Sequence, residues 1–514
     1  SLAVLDGFDR EPDREILPVY FERGYIPAPY TIYRNAAKLL PGCTLRLRVT
    51  ERGIEPAAMR GGARPEPGAA CSSVQELDPF VTAYWSVADA ARRGAASPFA
   101  GSFEEASAEL ERLLRRAIRG QMTADVPLGA FLSAGIDSST VVALMQEESA
   151  GERVRSFTIG MEDGEHDEAE SAAAIARHIG TAHTELYITE QDAREVIPLL
   201  PQMFSEPFAD SSQIPTYLVS RMTREHVTVS LSGDAGDELF AGYNSYAWAA
   251  DKWHKAQRIP RSLRRPAGAL LLHSPLNERK LWRSRGLLLS ARGPKDVLDM
   301  ACRSDLQAAK LVRMKPDRSA GADAWARIPY GRLEPDALGE VYRDCMLADM
   351  TMYLPDDILT KVDRTAMAVS LETRIPLLDR DIVEFAWSLP VSFLRLSGEG
   401  KRILRSVLYR YVPKELMDRP KKGFSIPLSG WLRETSLRGW AEELLSPDRL
   451  RAEGILDADA VRKLWDRFLQ EGVWCPQIWY VLMFEAWMRD ISPAPSPSAS
   501  PSSFGSGAGT AGER

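Results

Sequence analysis

The residues best able to do chemistry stand in two short runs. GAFLSAGIDSST, Gly129 to Thr140, passes from an apolar stretch through a turn of small residues into a helical pattern. There the backbone N–H groups of the turn face one point and the helix N-terminus adds partial positive charge. The hydroxyls of Ser133, Ser138 and Ser139 add donors, so the whole suits an anion such as phosphate. The run lacks the lysine and the spacing of a Walker A loop. Asp137 would repel a phosphate unless a divalent cation stood between them, which points to Mg²⁺. A plain strand-to-helix turn with a capping aspartate has the same local composition.

VSLSGDAGDELFAGY, Val229 to Tyr243, repeats the plan with Asp234, Asp237 and Glu238 in its turn. If both apolar runs are strands of one parallel sheet, both turns open on its carboxyl edge, where open α/β folds bind ligands. Two acidic turns beside a phosphate cradle make sense as holders of Mg²⁺ on a nucleotide. A solvated acidic loop is the simpler alternative, and the spacing is not that of an EF-hand.

The elements that must position these runs alternate. Strands are expected over Val126–Leu132, Val154–Ile159, Glu185–Ile188 and Val227–Leu231, with helices over Ser138–Glu147 and Asp167–Ile179, the latter ended by Gly180. This is an α/β pattern: a Rossmann-like parallel sheet with right-handed crossovers and helices on both faces. A further helix begins at Ser102, followed by Glu104 and Glu105, and carries Ala106, Leu110, Leu113, Leu114, Ala117 and Ile118 at helical spacing. Ala90–Gly101 reads as a linker and Met59–Ser73 as a loop or hairpin tip. From about Ala247 to Ile491 strand signals fade and helices dominate. Residues 492–514, rich in Ser, Pro, Ala and Gly, cannot bury a core and read as disordered.

The 514 residues, 45% hydrophobic and 26% charged, describe an ordinary globular chain. A net charge of −7 argues against nucleic acid as the main partner, and the basic run Arg258–Pro266 reads as a solvated face. Five cysteines without a CxxC pair suggest neither a disulfide framework nor a zinc site. With no apolar run long enough to span a bilayer and no signal peptide at the front, a cytoplasmic protein with no membrane partner is expected.

SxGxDS followed by SGDxGDELFxGY resembles the synthetase domain of glutamine-dependent asparagine synthetases, a branch of the PP-loop ATP pyrophosphatases. Further matches follow in family order: SFTIGMEDGEHDEAESAAAIARHIGTAHTELYIT from Ser156, YLPDDILTKVDRTAMAVSLETRIPLLD from Tyr353, and GKRILRSVLYRYVPKELMDRPKKGFSIPLSGWL from Gly400. The resemblance runs from about Glu104 to Met488. FDREPDREILPVYFERGYIPAPYTIYRNAAKLLPGCTLRL, with Tyr84 and Trp85 after it, resembles the end of the family's Ntn-type glutaminase domain. The chain opens on Ser1 rather than Met, and the cysteine-led catalytic front of that domain is not in it. The expected organisation is thus a glutaminase remnant over 1–88, a synthetase domain over 102–491 and the 492–514 tail.

The resemblance implies ATP and Mg²⁺, with aspartate and ammonia as reactants, the ammonia coming from glutamine in a longer protein, and a homodimer as assembly. Aspartate's side-chain carboxylate would attack the α-phosphate, release pyrophosphate and leave β-aspartyl-AMP, from which ammonia displaces AMP. By position, Ser133, Gly135, Asp137, Ser138 and Ser139 would hold the phosphates, and Asp137 and Asp237 would share Mg²⁺. Leu132, Ile159, Ser232 and Gly233 would line adenine and ribose. Asp234 matches the acidic position that serves the acyl-adenylate, and Lys421 matches the lysine that reaches the leaving phosphates. Asp363, Arg364, Glu372 and Arg374 would belong to a helical part of the pocket and orient aspartate or the loops, an ion-pair scaffold being the alternative. His178 and His183 read as structural. Ala134, Ala235 and Ala241 stand where the family usually has glycine, so these positions are expected to adopt negative φ. Two alternatives stay open: a relative acting on another carboxylate, and a non-catalytic ATP-binding module.

Overall fold

A computed structural model describes residues 5–50, 53–56, 81–161, 168–275, 280–302, 308–313, 338–418, 426–434 and 437–491. Its centre is a five-stranded parallel sheet: β1 (Leu128–Phe131), β2 (Arg155–Met161), β3 (Ala182–Ile188), β4 (Val229–Leu231) and β5 (Glu372–Arg374), in the order β3-β2-β1-β4-β5. β1 pairs Phe131 with Phe157 on one side and Ala130 with Leu231 on the other, and β4 pairs Leu231 with Arg374. The chain therefore builds outward from β1 to β3, then returns to start the other half at β4. The reversal leaves a crevice beyond the carboxyl ends of β1 and β4, the place where such sheets take ligands.

Because side chains alternate along a strand, the sheet feeds two cores. Phe157, Ile159 and Ile188 join one with helices Gln213–Arg224 and Pro476–Ile491, and the half-buried Phe131 packs on it. Its neighbour Ala130 joins the other, with Leu132, Leu231 and helices Phe103–Gln121, Ile136–Glu148 and Glu168–Ile179. Helix Phe103–Gln121 is fixed at its start by a capping box: Glu105 N–H donates to Ser102 Oγ at 3.1 Å and Ser102 N–H to Glu105 Oε2 at 2.7 Å. The six apolar positions expected on its inner face are all buried.

Two expectations change. Most of the supposed linker at Ala90–Gly101 belongs to a helix, Val87–Ala96, capped by Ser86. Its small residues are a packing face, since a Cβ on Gly94 would lie 2.4 Å from Trp387 O. Glu372 and Arg374 stand on a strand, not in a helical region; three polar residues carry no strand signal, and β5 takes its register from β4. The leading segment packs on the same core. Helix Leu17–Arg23 buries Tyr20 and Phe21 in the first core, where Tyr20 donates to Tyr480 O at 2.9 Å and Gln477 to Phe21 O at 3.2 Å. Beyond it lie two short antiparallel pairs, Cys43–Leu45 with Val81–Ala83 and Leu47–Thr50 with Gly53–Pro56. Met59–Ser73 and 492–514 lie outside the described residues. No described helix is long and apolar enough to cross a membrane.

Candidate active site at the carboxyl edge

β1 runs through Leu132, whose N–H donates to Phe157 O, into the turn that starts helix Ile136–Glu148. The cap residue Gly135 has no side chain to satisfy the first-turn N–H groups, which suits them to an anion. The serine hydroxyls hydrogen-bond within the loop. Ser138 Oγ accepts from Ser133 N–H at 3.1 Å and lies 2.9 Å from Ser133 Oγ, and Gly135 N–H donates to Ser133 Oγ at 3.2 Å. These hydroxyls brace the loop from within. Ser139 is fully buried, its hydroxyl 3.5 Å from Ser133 O.

The second loop lies directly on the first. A Cβ on Gly233 would stand 2.4 Å from Ser138 N, and one on Gly236 would stand 2.3 Å from Asp137 Oδ1, so only glycine permits this approach. Ala235 and Ala241 depart from expectation: their φ angles are +75° and +50°, the left-handed region. Burial and docking hold them there. Both are buried, and the Ala241 carbonyl accepts from Arg395 at 3.0 Å. Ala134 is not among the positive-φ residues, as expected. Ser232 Oγ donates to Asp234 Oδ2, orienting that carboxylate.

Asp137 and Asp237 do converge, and a residue that sequence reasoning passed over joins them. Lys401 Nζ donates to Asp137 Oδ2 and lies 2.8 Å from Asp237 Oδ1. Its backbone, in the left-handed region at φ +58°, donates to Phe240 O at 2.9 Å, and Gly400 ahead of it touches the Ala241 carbonyl closely enough to exclude a Cβ. Burial opposes the charge of Lys401, but Asp137 and Asp237 outweigh it and hold the ammonium above the ordinary lysine range. The available signal was a Gly-Lys pair inside a motif-like segment; nothing local says that this lysine is buried.

Beside the second loop lies another buried lysine. Lys361 donates to Asp210 Oδ2 at 2.6 Å and to Ser212 Oγ at 2.8 Å. Burial acts against its charge, yet Asp210, then Asp357 and more weakly Asp234, raise its pKa. Asp210 and Asp357 line a cavity of about 420 Å³ with Asp349, Tyr243, Tyr353 and Trp479. Burial pushes Asp349 up to about 7 and Asp357 well above the usual carboxylate range. None of Asp137, Asp234 and Asp237 lines this cavity, so the cradle and the cavity are neighbouring compartments.

The remaining expected residues divide. Leu132 and Ile159 are buried, in opposite cores. Asp363 and Arg364, on helix Thr360–Met367, are exposed and 3.7 Å apart. Arg374 donates to Glu372 at 2.7 Å and to the carbonyls of Gln121 and Thr123, tying β5 to the end of helix Phe103–Gln121. These contacts are those of an ion-pair scaffold, and none reaches Asp137 or Asp237. His183 Nδ1 meets Ser156 Oγ at 2.8 Å and His178 Nε2 lies 3.0 Å from Tyr411 O, both structural contacts. Lys421 lies outside the described residues.

Mg²⁺ fits the donor set on one condition. Among the described residues no three carboxylate, His or Cys groups form a metal cage, so two carboxylates would need phosphate oxygens to complete the shell, which is the usual manner of Mg²⁺ at nucleotides.

The chain is similar to known proteins over most of its length. The family model described as asparagine synthase matches residues 109–489. Asparagine synthetase (glutamine-hydrolyzing) 1 of Bacillus subtilis is 27% identical over 500 residues, 95% of this chain and 70% of its own. A Mycobacterium tuberculosis protein provisionally given the same enzyme name is 30% identical over 504 residues, 95% of this chain and 69% of its own. By the extent of that match, the chain belongs to the asparagine synthase family.

Proposed function

We propose that this chain makes asparagine from aspartate, ATP and ammonia through β-aspartyl-AMP. The observation that carries the reading is the convergence of Asp137 and Asp237, from two loops at the switch between β1 and β4, on the buried ammonium of Lys401. The helix N-terminus at Gly135 and Lys401 face the pyrophosphate portion of ATP and stabilise the charge that develops there. Asp137 and Asp237 would hold Mg²⁺, which supplies charge neutralisation at the phosphates when bound. An aspartate carboxylate oxygen bonds to the α-phosphorus as the bond to the bridging oxygen breaks, and pyrophosphate leaves. Ammonia then bonds to the acyl carbon, AMP leaves with the carboxylate oxygen, and the nitrogen loses a proton. Asp234, to which Ser232 Oγ donates, is assigned the role of receiving that proton. Lys421 is assigned to the leaving phosphates on its sequence position alone.

The test is an end-product assay with ATP, ammonium and a panel of carboxylic acids, with Asp137→Ala as control. AMP and pyrophosphate should form with aspartate, and the control should lose at least about a hundredfold in kcat. ADP as product would overturn the mechanism, and turnover with another acid alone would overturn the substrate.

A further inference from the structure

The cavity beside the cradle carries more negative charge than its walls balance. Its lining includes the aspartates Asp210, Asp299, Asp349 and Asp357, and among the described residues a single cation, Arg23. Arg23 pairs with Asp299 at 2.7 Å, and Lys361, outside the lining, pairs with Asp210 at 2.6 Å. The other two aspartates have no such ion pair among the described residues. Asp349 accepts from the neutral hydroxyl of Tyr246 at 2.8 Å, and Asp357 Oδ1 is buried with no hydrogen-bond partner. Both residues are only 6% exposed. Burial keeps protons on these two carboxyls at a pH where exposed aspartates are ionised, and a bound cation would displace those protons.

Much of the remaining wall is aromatic: Tyr25, Tyr243, Tyr353, Trp474, Trp479 and Tyr480. Asp349, Tyr353 and Asp357 recur at every fourth residue of one π-helical stretch, Asp349–Leu359. A single element therefore brings carboxylate, ring and carboxylate to the cavity, and π-helical turns concentrate at functional sites. Carboxylates interleaved with aromatic rings suit an organic ammonium ion, and about 420 Å³ is the volume of a small-molecule pocket. An anion would be repelled. A bare metal ion finds no cage, because no three of its usual ligand groups come together among the described residues. A neutral apolar molecule would leave Asp357 Oδ1 buried and unpaired.

We propose that this cavity binds an organic diamine, one ammonium group meeting Asp349 and the other Asp357, with the aromatic wall covering the carbon chain between them. The site is separate from the nucleotide cradle, and its occupancy does not depend on which acid the chain activates.

Isothermal titration calorimetry of the full chain with 1,4-diaminobutane tests it. Binding is expected with a Kd below about 1 mM. 1,4-Butanediol, which has the same length without the charge, and ammonium chloride, which has the charge without the carbon chain, should each bind at least about tenfold more weakly. Asp349→Asn and Asp357→Asn should each weaken diamine binding by about tenfold or more. Each should keep or raise the thermal midpoint, because it removes a buried carboxyl that has no ion-pair partner. Should one of them melt below the parent, the other carries the same expectation. Tyr353→Leu should weaken binding by about threefold or more, and Tyr353→Phe, which keeps the ring, should not. Absence of binding at about 10 mM diamine would leave the cavity to water and overturn the proposal. Equal binding of the diol or of ammonium, or an affinity that neither Asn variant moves, would overturn it as well.

Discussion

The loop from Leu132 to Ser139 holds its shape with hydroxyls, whereas the loop from Ser232 to Gly242 holds its shape by what its residues leave out. In the first, Ser133 and Ser138 satisfy each other and the backbone around them. In the second, Gly233, Gly236 and Gly242 approach neighbours that would collide with any Cβ, and Ala235 and Ala241 sit at positive φ. A left-handed alanine costs about 1–2 kcal/mol, so the second loop is strained unless something holds it. What holds it is the first loop beneath and Lys401 with Arg395 beside. Of the three carboxylates assigned to chemistry, Asp234 and Asp237 lie on the strained loop and Asp137 on the braced one. One loop is therefore a local structure and the other a docked one.

Breaking the tie between them should have the largest effect. Lys401→Ala leaves Asp137 and Asp237 facing each other without their shared cation and should cost about 3–5 kcal/mol by denaturant unfolding. Added Mg²⁺ should restore part of that loss in the variant and little in the parent. An unchanged stability would show that the bridge does not join the loops.

Titration separates the loops next. Glu238 on the second loop is buried and accepts from Tyr243 OH at 2.7 Å, and burial pushes its pKa to about 8. Its folded value lies above its unfolded one, so this group's contribution to stability is complete below the ordinary glutamate range and is lost as pH rises toward 8. Glu238→Gln keeps an acceptor for Tyr243 and should flatten that decline, raising stability above pH 8 by about 2–4 kcal/mol relative to the parent.

Smaller effects probe each loop's means of support. Gly236→Ala should cost about 1–3 kcal/mol and depress AMP formation, because the added carbon displaces Asp137. Ser138→Ala, which removes the first loop's brace without a clash, should cost about 1 kcal/mol. Ala241→Gly should be the smallest, a gain of about 0.5–1 kcal/mol, as relief of the left-handed strain exceeds the added freedom of the unfolded chain. A loss there would mean that the alanine methyl packs well enough to repay its own strain.

Four of the five strands and the helices between them were legible because each is an apolar run or a helical repeat bounded by turn residues. β5 was not, since Glu-Thr-Arg has no apolar content and exists as a strand only through its pairing with Val229–Leu231. In the site, Asp137, Asp234 and Asp237 were legible because glycines and serines around them announce a turn. Lys401 was hidden by distance: it follows Asp137 by 264 positions and reaches it only through the fold. The backbone of Ala235 and Ala241 was misjudged for a related reason. Local sterics favour negative φ for alanine, and tertiary docking overrules that preference. The serines were legible as polar but not as braces, because composition does not say which way a hydroxyl turns.

The contact between Tyr20 and Tyr480 spans 460 positions and joins the first described helix to the last. During synthesis at roughly 5–20 residues per second, the apolar face of Leu17–Arg23 emerges about half a minute to a minute and a half before its partner exists. The first described helix is thus without the cover of helix Pro476–Ile491 throughout that interval, with Ala308 and Leu311 the earlier-made part of the core that receives it.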